Sequence, residues 1–488
     1  MVGKIALSAL AVALMAASPA AEQDWAAALR TDAQALHDLV DANHPGPVNP
    51  LDPEFTQRND QALAQALARA DRVQGYPGYL WAMRAYIASF DDGHVMIRST
   101  DAAPDLQVAW PGFLTGYDDD GRQIVRTVAD DAALPLGAEL RECDGTSVAE
   151  LMERNVGDFR GRWDLHSQRM IHGGRMFIDV GNPFISRPQQ CVFSIEGSPR
   201  TVTLQWRAIS DEELAERFAA TAARYSPDIG TRTFPSGTRW YSLSDFDGDL
   251  GSDAGQALAA LIGEMREDAD PIRSAPRIVL DLRGNGGGSS DWSKQIARII
   301  WGEEKVASAS GGSDYVEWRA SPANIAAMDE YRRDYASAPD APREVVDWLE
   351  GAVKGMTIAL AADEPLWREP SSEERPEVQG ATDGAGSPQG PVYILTDWVC
   401  ASACLDAVDL WRSLGAIQVG QETGADTLYM DVRDDPLPSG LATVGMPMKV
   451  YRGRPRGINE PWKPVHPFEG SMRSTEDIEA WIVELGGG

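Results

Sequence analysis

Histidine and cysteine are scarce in this chain, with six and four among 488 residues. There is no His-Glu-x-x-His stretch and no paired-cysteine pattern with zinc spacing. Neither a metal nor an organic cofactor is therefore expected. A phosphate loop of the form Gly-x-x-x-x-Gly-Lys-Ser/Thr is also missing. Basic charge is in deficit: 44 Lys and Arg stand against 74 Asp and Glu, a formal net charge of −30. No basic patch stands out, which argues against nucleic acid as a partner. Long apolar runs are lacking as well. Ile5 to Ala17 is the one marked run, and it is too short to span a bilayer. Lys4 precedes it and Ser18-Pro-Ala20 follows, so residues 1–21 read as a secretory signal peptide cut after Ala20. With no cysteine at the cut, no lipid anchor is expected. The mature chain is expected in a bacterial periplasm or outside the cell.

The length allows two to four domains, and a hydrophobic content of 43% suffices for a large core. Four cysteines in an exported chain favour pairing. Of three possible connectivities, Cys143–Cys191 with Cys400–Cys404 is preferred; buried free thiols are the alternative for the second pair. Positions four apart on a helical turn lie about 6 Å apart at Cα, within disulfide range.

What is present is concentrated in two stretches. Ile278-Val-Leu-Asp-Leu-Arg-Gly-Asn-Gly-Gly-Gly288 reads as a buried strand that ends in a glycine-rich turn. A helix over roughly 291–300 follows, with Ser289 or Ser290 as its cap. Such a junction aims main-chain N–H groups at open space and serves as an anion receptor. The second stretch is a strand, Pro391 to Thr396, followed by Asp397-Trp-Val-Cys-Ala-Ser402-Ala-Cys404 and a helix over about 405–413. Ser402 thus sits at a strand-to-helix turn among small residues, where a hydroxyl is exposed beside free N–H groups. Together these favour an oxyanion hole and a nucleophile over a phosphate site. Asp281 and Arg283 are expected to hold the glycine loop by charge-assisted hydrogen bonds.

Asp281-Leu-Arg-Gly-Asn-Gly-Gly-Gly288, followed about a hundred residues later by Ala401-Ser-Ala403, resembles the tail-specific (C-terminal-processing) serine proteases, which include the tricorn core. Gly420-Gln-Glu-Thr-Gly424 and Gly457-Ile-Asn-Glu-Pro461 resemble two later motifs of that family, in the family's order. The likeness covers about 235–470 well and 30–230 more weakly. It implies an α/β protease core with an N-terminal helical region and a PDZ-like β-rich module. It also implies an oxyanion hole from Gly286 or Gly287 together with Ala403.

A serine hydroxyl needs a base. The bacterial branch of the family places a lysine about 25 residues after the serine. Here Thr427 stands there, and no lysine lies between Ser402 and Lys449. The tricorn branch uses an N-terminal histidine and a late glutamate. By resemblance these are His94, in Asp92-Gly-His94, and Glu460. The assignment is Ser402 as nucleophile, His94 as general base and Glu460 as its orienter. Gly93 replaces a polar relay residue of tricorn, so water, a direct contact, Glu422 or Asp92 must close the gap to the acid. His466 and Lys449 are the competing bases.

Along the chain, 22–105 reads as helical and carries His94. Residues 106–207 read as a PDZ-like module with an insert at about 155–187, and 208–488 as the α/β serine protease core with a helical insertion at about 312–375. The expected activity is hydrolysis of peptide bonds in a peptide or protein substrate, bound at its C-terminus or internally, by an exported peptidase. A non-catalytic ligand- or peptide-binding relative and an esterase are the alternatives. Nothing in the sequence sets the oligomeric state.

Overall fold

The computed structural model describes residues 23–118, 120–132, 134–222, 224–309, 315–337, 343–370 and 386–486. The signal-peptide reading and parts of the 312–375 insertion lie outside these residues.

Three large sheets and a two-stranded one organise the described residues. The first runs Gly230–Thr233, Thr238–Ser242, Arg277–Asp281, Val392–Thr396, Ile417–Gly420 and His466–Pro467 in spatial order. Its first pair is antiparallel and every later pair is parallel. Arg277–Asp281 and Val392–Thr396 are interior strands, and the sequence there is continuously apolar because both faces are covered. Ile278, Leu280 and Ile394 pack under the helices Asp253–Glu267, Asp291–Trp301 and Ala403–Ser413. Val279, Tyr393 and Leu395 face the helix Thr475–Leu485 on the other side. Each such side chain contributes about 1.5–3 kcal/mol of burial. The loops carrying chemistry therefore leave the C-terminal ends of two adjacent parallel strands, where such sheets place their sites.

The second sheet is antiparallel and centres on the long strand Ala442–Arg452, which pairs with Tyr429–Pro436, Met96–Ser99 and Tyr315–Arg319. The N-terminal helices Trp25–Asn43, Phe55–Arg69 and Tyr76–Ala88 bury Leu36, Phe55 and Tyr86 in one cluster with Tyr429, Val444 and Met446 of that sheet. The expected boundary at 105 is thus not a physical one. The segment before His94 is built into the core, and Met96–Ser99 is one of its strands. The insertion contributes helices Pro322–Ser337 and Arg343–Ala361, packed on this sheet through Trp318, Met356 and Met448.

The third sheet, Phe113–Tyr117, Gln123–Val128, Glu139–Cys143, Gln190–Ile195 and Ser198–Thr203 with Thr146–Ser147, has its own core. Ser198–Thr203 is the stretch in register with Gln190–Ile195. Cys143 and Cys191 are directly opposite across a strand pair and are bonded. Cys400 and Cys404 are bonded as well, with Cα atoms 5.3 Å apart. Both preferred pairings are present.

Candidate active site

The turn after Arg277–Asp281 is held from beneath. Asp281 and Arg283, both fully buried, form a two-point ion pair, with Arg283 Nε donating to Oδ1 at 2.9 Å and Nη2 to Oδ2 at 2.5 Å. Arg283 Nη1 also donates to the Met472 carbonyl at 2.6 Å, and Trp240 Nε1 to Asp281 at 3.0 Å. These contacts leave neither charge unpaired in the interior. Asn285 is equally buried: Nδ2 donates to the Leu243 carbonyl at 2.6 Å, and Oδ1 accepts the Gly287 N–H at 2.8 Å.

Ser402 sits at φ +53°, ψ −124°, a backbone conformation a side-chain-bearing residue rarely adopts. It begins the helix Ala403–Ser413 without capping it. Such strain persists only where surroundings impose it. Here the Cys400–Cys404 bond straddles the turn, and the glycine loop presses against it. A Cβ at Gly287 would lie 2.7 Å from the Ala401 carbonyl and 2.8 Å from Ser402 Cβ. Only glycine, at φ +106°, permits that approach. A hydroxyl, a helix N-terminus and a glycine backbone are thereby brought into contact.

The Gly287 N–H is spoken for by Asn285, which corrects its expected role as an oxyanion donor. Among the described residues, the Gly286 and Ala403 N–H groups donate to no internal acceptor. A Cβ at Gly286 would meet nothing within 4 Å, so that position borders open space.

His94 follows a turn in which Asp92 Oδ1 accepts the His94 backbone N–H at 2.8 Å. The same oxygen lies 3.4 Å from His94 Nδ1, an ionic contact rather than a formed hydrogen bond. Burial works against charge on this imidazole, but the carboxylates of Asp92 and Asp426 outweigh it and raise its pKa above the usual 6.5. Asp92 is opposed by its own burial, yet the imidazole and Thr427 hold its carboxyl below the usual range. Thr427 Oγ1 donates to Asp92 Oδ2 at 2.7 Å. Thr427 occupies the position where the bacterial branch carries its lysine.

The segment bearing Thr427 reaches the nucleophile turn, since a Cβ at Gly424 would lie 2.8 Å from the Cys400 carbonyl. His94 and Ser402 are therefore carried on segments that meet through 424–427. Among the described residues no hydrogen bond joins the Ser402 hydroxyl to His94. Catalytic contacts are often long before substrate binds. Gly93 is explained by Arg162, whose Nη2 would lie 2.5 Å from a Cβ there and whose Nη1 donates to the Ala425 carbonyl at 2.9 Å. The relay position is filled by a guanidinium from the insert of the third sheet.

Among the described residues Glu460 forms neither an ion pair nor a hydrogen bond with His94. Its exposed carboxylate accepts the N–H of Gly457 at 2.9 Å within its own turn. It borders a depression with His166, Arg169, Glu422 and Trp462. The carboxylate in contact with the His94 imidazole is that of Asp92, two residues before it in the chain. Lys449 is buried and paired with Asp431 at 2.7 Å, between the rings of Trp318 and Tyr451. His466 lies on the far edge strand of the parallel sheet. Two contributors escaped sequence reading. Arg162 lies 68 residues from His94 in the chain. Asp397 accepts the N–H groups of Gly284 at 2.9 Å and Val399 at 3.0 Å, joining the two loops. Burial pushes its carboxyl up to about 7.

A parallel-stranded protease core with a glycine loop against a serine turn is the arrangement described above. Residues 242–453 match the family model for peptidase family S41, so this part of the chain is similar to the tail-specific peptidases. Among solved structures, mature CPAF complexed with lactacystin is similar at 12% identity over 91% of this chain and 94% of that one, with a TM-score of 0.59. Mature CPAF alone is similar at 14% identity over 91% and 93%, with a TM-score of 0.58. At such identities the likeness is one of fold. No curated protein sequence matches this chain. Among the described residues no helix is long and apolar enough to cross a membrane.

Proposed function

We propose that this chain is an exported serine peptidase that cleaves peptide bonds through an acyl-enzyme on Ser402. The observation that carries this reading is the strained turn of Ser402 with Gly287 packed against it. Ser402 Oγ attacks the substrate carbonyl, and His94 takes its proton and later returns it to the leaving amine. Asp92 stabilises the imidazolium that forms between these steps, and Thr427 fixes Asp92. The oxyanion is received by the N–H groups of Gly286 and Ala403, at a helix N-terminus whose dipole favours negative charge. Two disulfides agree with an oxidising compartment and so with export. In this reading 106–207 is a PDZ-like module whose insert serves the active site, through Arg162 at the His94 loop and Met170 packed on Trp398 and Val399.

The test is labelling of the full chain with a fluorophosphonate probe alongside casein turnover. The expected result is labelling of wild type and none of Ser402→Ala, with turnover lost in Ser402→Ala and His94→Ala. Full activity in His94→Ala would sink the assignment of the base. Absence of labelling in the wild type would favour a non-catalytic relative, and turnover of esters without peptides an esterase.

A further inference from the structure

A cavity of about 550 Å³ lies away from Ser402, between the helix Tyr76–Ala88, the insert of the third sheet and the helix Asp211–Ala219. Its volume falls in the range of small-molecule sites. Most of its wall is apolar, Met176, Leu214 and Phe218 among it. Three arginines enter the same wall: Arg84, Arg160 and Arg175.

Their chemistry is unusual for this chain. Acids outnumber bases by 74 to 44, so carboxylate partners are abundant. Yet among the described residues no carboxylate pairs with any of the three. Arg84 and Arg160 both lie against one ring, with their guanidinium carbons 4.9 and 5.6 Å from the Trp81 centroid. Arg175 lies 4.6 Å from the Phe218 centroid and donates through Nε to His172 Nδ1 at 3.2 Å. Arg160 Nε is buried without a hydrogen-bond partner. The fourth arginine of the wall, Arg187, is the contrast: it pairs with Asp179. The chain supplies an acid where it needs one and withholds it at the other three.

Packing three like charges together away from bulk water costs stability. Burial, and then the neighbouring cations, depress the pKa of Arg160. Burial depresses those of Arg84 and Arg175 too, the latter to about 10. The burial also keeps His172 neutral, so that it accepts from Arg175 and adds no fourth charge. An anionic group entering the cavity would collect the unused donors of these guanidiniums, and their planar forks suit a carboxylate. The apolar remainder of the wall would receive an uncharged body.

We propose that this cavity binds a small organic carboxylate with an apolar body, its head held by Arg84, Arg160 and Arg175. The site is independent of the serine chemistry and stands whether or not Ser402 is a nucleophile.

The experiment titrates 8-anilinonaphthalene-1-sulfonate, an anion with an apolar body, into the full chain and follows its fluorescence. Saturable binding at one site per chain is expected, displaced by decanoate and not by decanol. Arg160→Gln combined with Arg175→Gln should weaken binding by tenfold or more, about the worth of one charge-assisted contact. Leu214→Trp should abolish binding by filling the lumen while leaving the arginines in place. Without ligand, the double variant should melt no lower than wild type, because it loses repulsion and no ion pair. Equal displacement by decanol, undiminished binding in either variant, or a lower melting temperature in the unliganded double variant would overturn the proposal. Displacement by a hydrophobic pentapeptide with a free C-terminus but not by decanoate would overturn the small-molecule assignment.

Discussion

Thr427 donates its hydroxyl to Asp92 at 2.7 Å, across 335 residues of chain. The contact joins the position where the bacterial branch that this chain resembles places its lysine to the carboxylate that lies against His94. It fixes Asp92 from one side while the imidazole of His94 faces it from the other. Thr427→Val should leave a buried carboxylate oxygen without its donor. Leaving such a buried acceptor unsatisfied costs about 1–3 kcal/mol, on the order of 10–100-fold in a rate that depends on it. The expected result is a fall in kcat of that order with KM little changed, measured on a peptide substrate.

The imidazole must be neutral to act as a base, so its raised pKa sets the acid limb of the rate profile. That limb of kcat/KM should lie above pH 6.5 in wild type. Asp92→Asn removes the largest charge that raises it, and the limb should move to lower pH while the rate falls. The pair also stabilises the fold. The His94 contribution is full below pH 6.5 and fades as pH rises through the raised value. A limb that stays in place in Asp92→Asn would show that another acid sets it.

Gly287→Ala tests the pressure of the glycine loop on the serine turn. The added carbon would meet the Ala401 carbonyl at 2.7 Å, at a φ that disfavours any side chain. Backbone must shift, and Ser402 with it. Turnover should fall by at least about 100-fold, the scale seen when an oxyanion donor is misplaced. Fluorophosphonate labelling should slow in parallel.

Asp397 carries a carboxyl raised to about 7, opposite in direction to Asp92. A raised acid binds its proton in the folded chain at pH values where the unfolded chain has lost it. Stability from this group is therefore highest below about pH 4 and declines as pH rises towards 7. Asp397→Asn removes that decline. Its melting temperature relative to wild type should be higher at pH 8 than at pH 5, by differential scanning calorimetry.

The two disulfides should separate stability from activity. Cys143–Cys191 closes a span of 48 residues, whose constraint on the unfolded chain is worth about 4 kcal/mol. Cys400–Cys404 closes a span of only 4 residues but braces the strained serine turn. Replacing the first pair with alanine should lower the melting temperature more. Replacing the second should lower kcat more.

The strand–glycine–helix and strand–serine–helix junctions were readable from residue order, because each is a local event. An apolar run, a tight turn and a helix start lie within about fifteen residues. The choice of Ser402 rests on such local patterns, and so does the Cys400–Cys404 pairing, whereas His94 was chosen by resemblance to the family. Which acid meets the imidazole was not a local matter. Glu460 fits the family's order in sequence, but its turn closes on Gly457. Asp92 was near in the chain, and its orientation depends on Thr427 arriving from the loop that leads into the second sheet. Arg162 and the Arg84, Arg160 and Arg175 group come from segments that only packing brings together. Charge in a sequence has no sign of its partners. Whether a cation is matched is decided by what the fold places within a few ångströms of it, since electrostatic interaction in the interior depends on distance and on the water excluded around it.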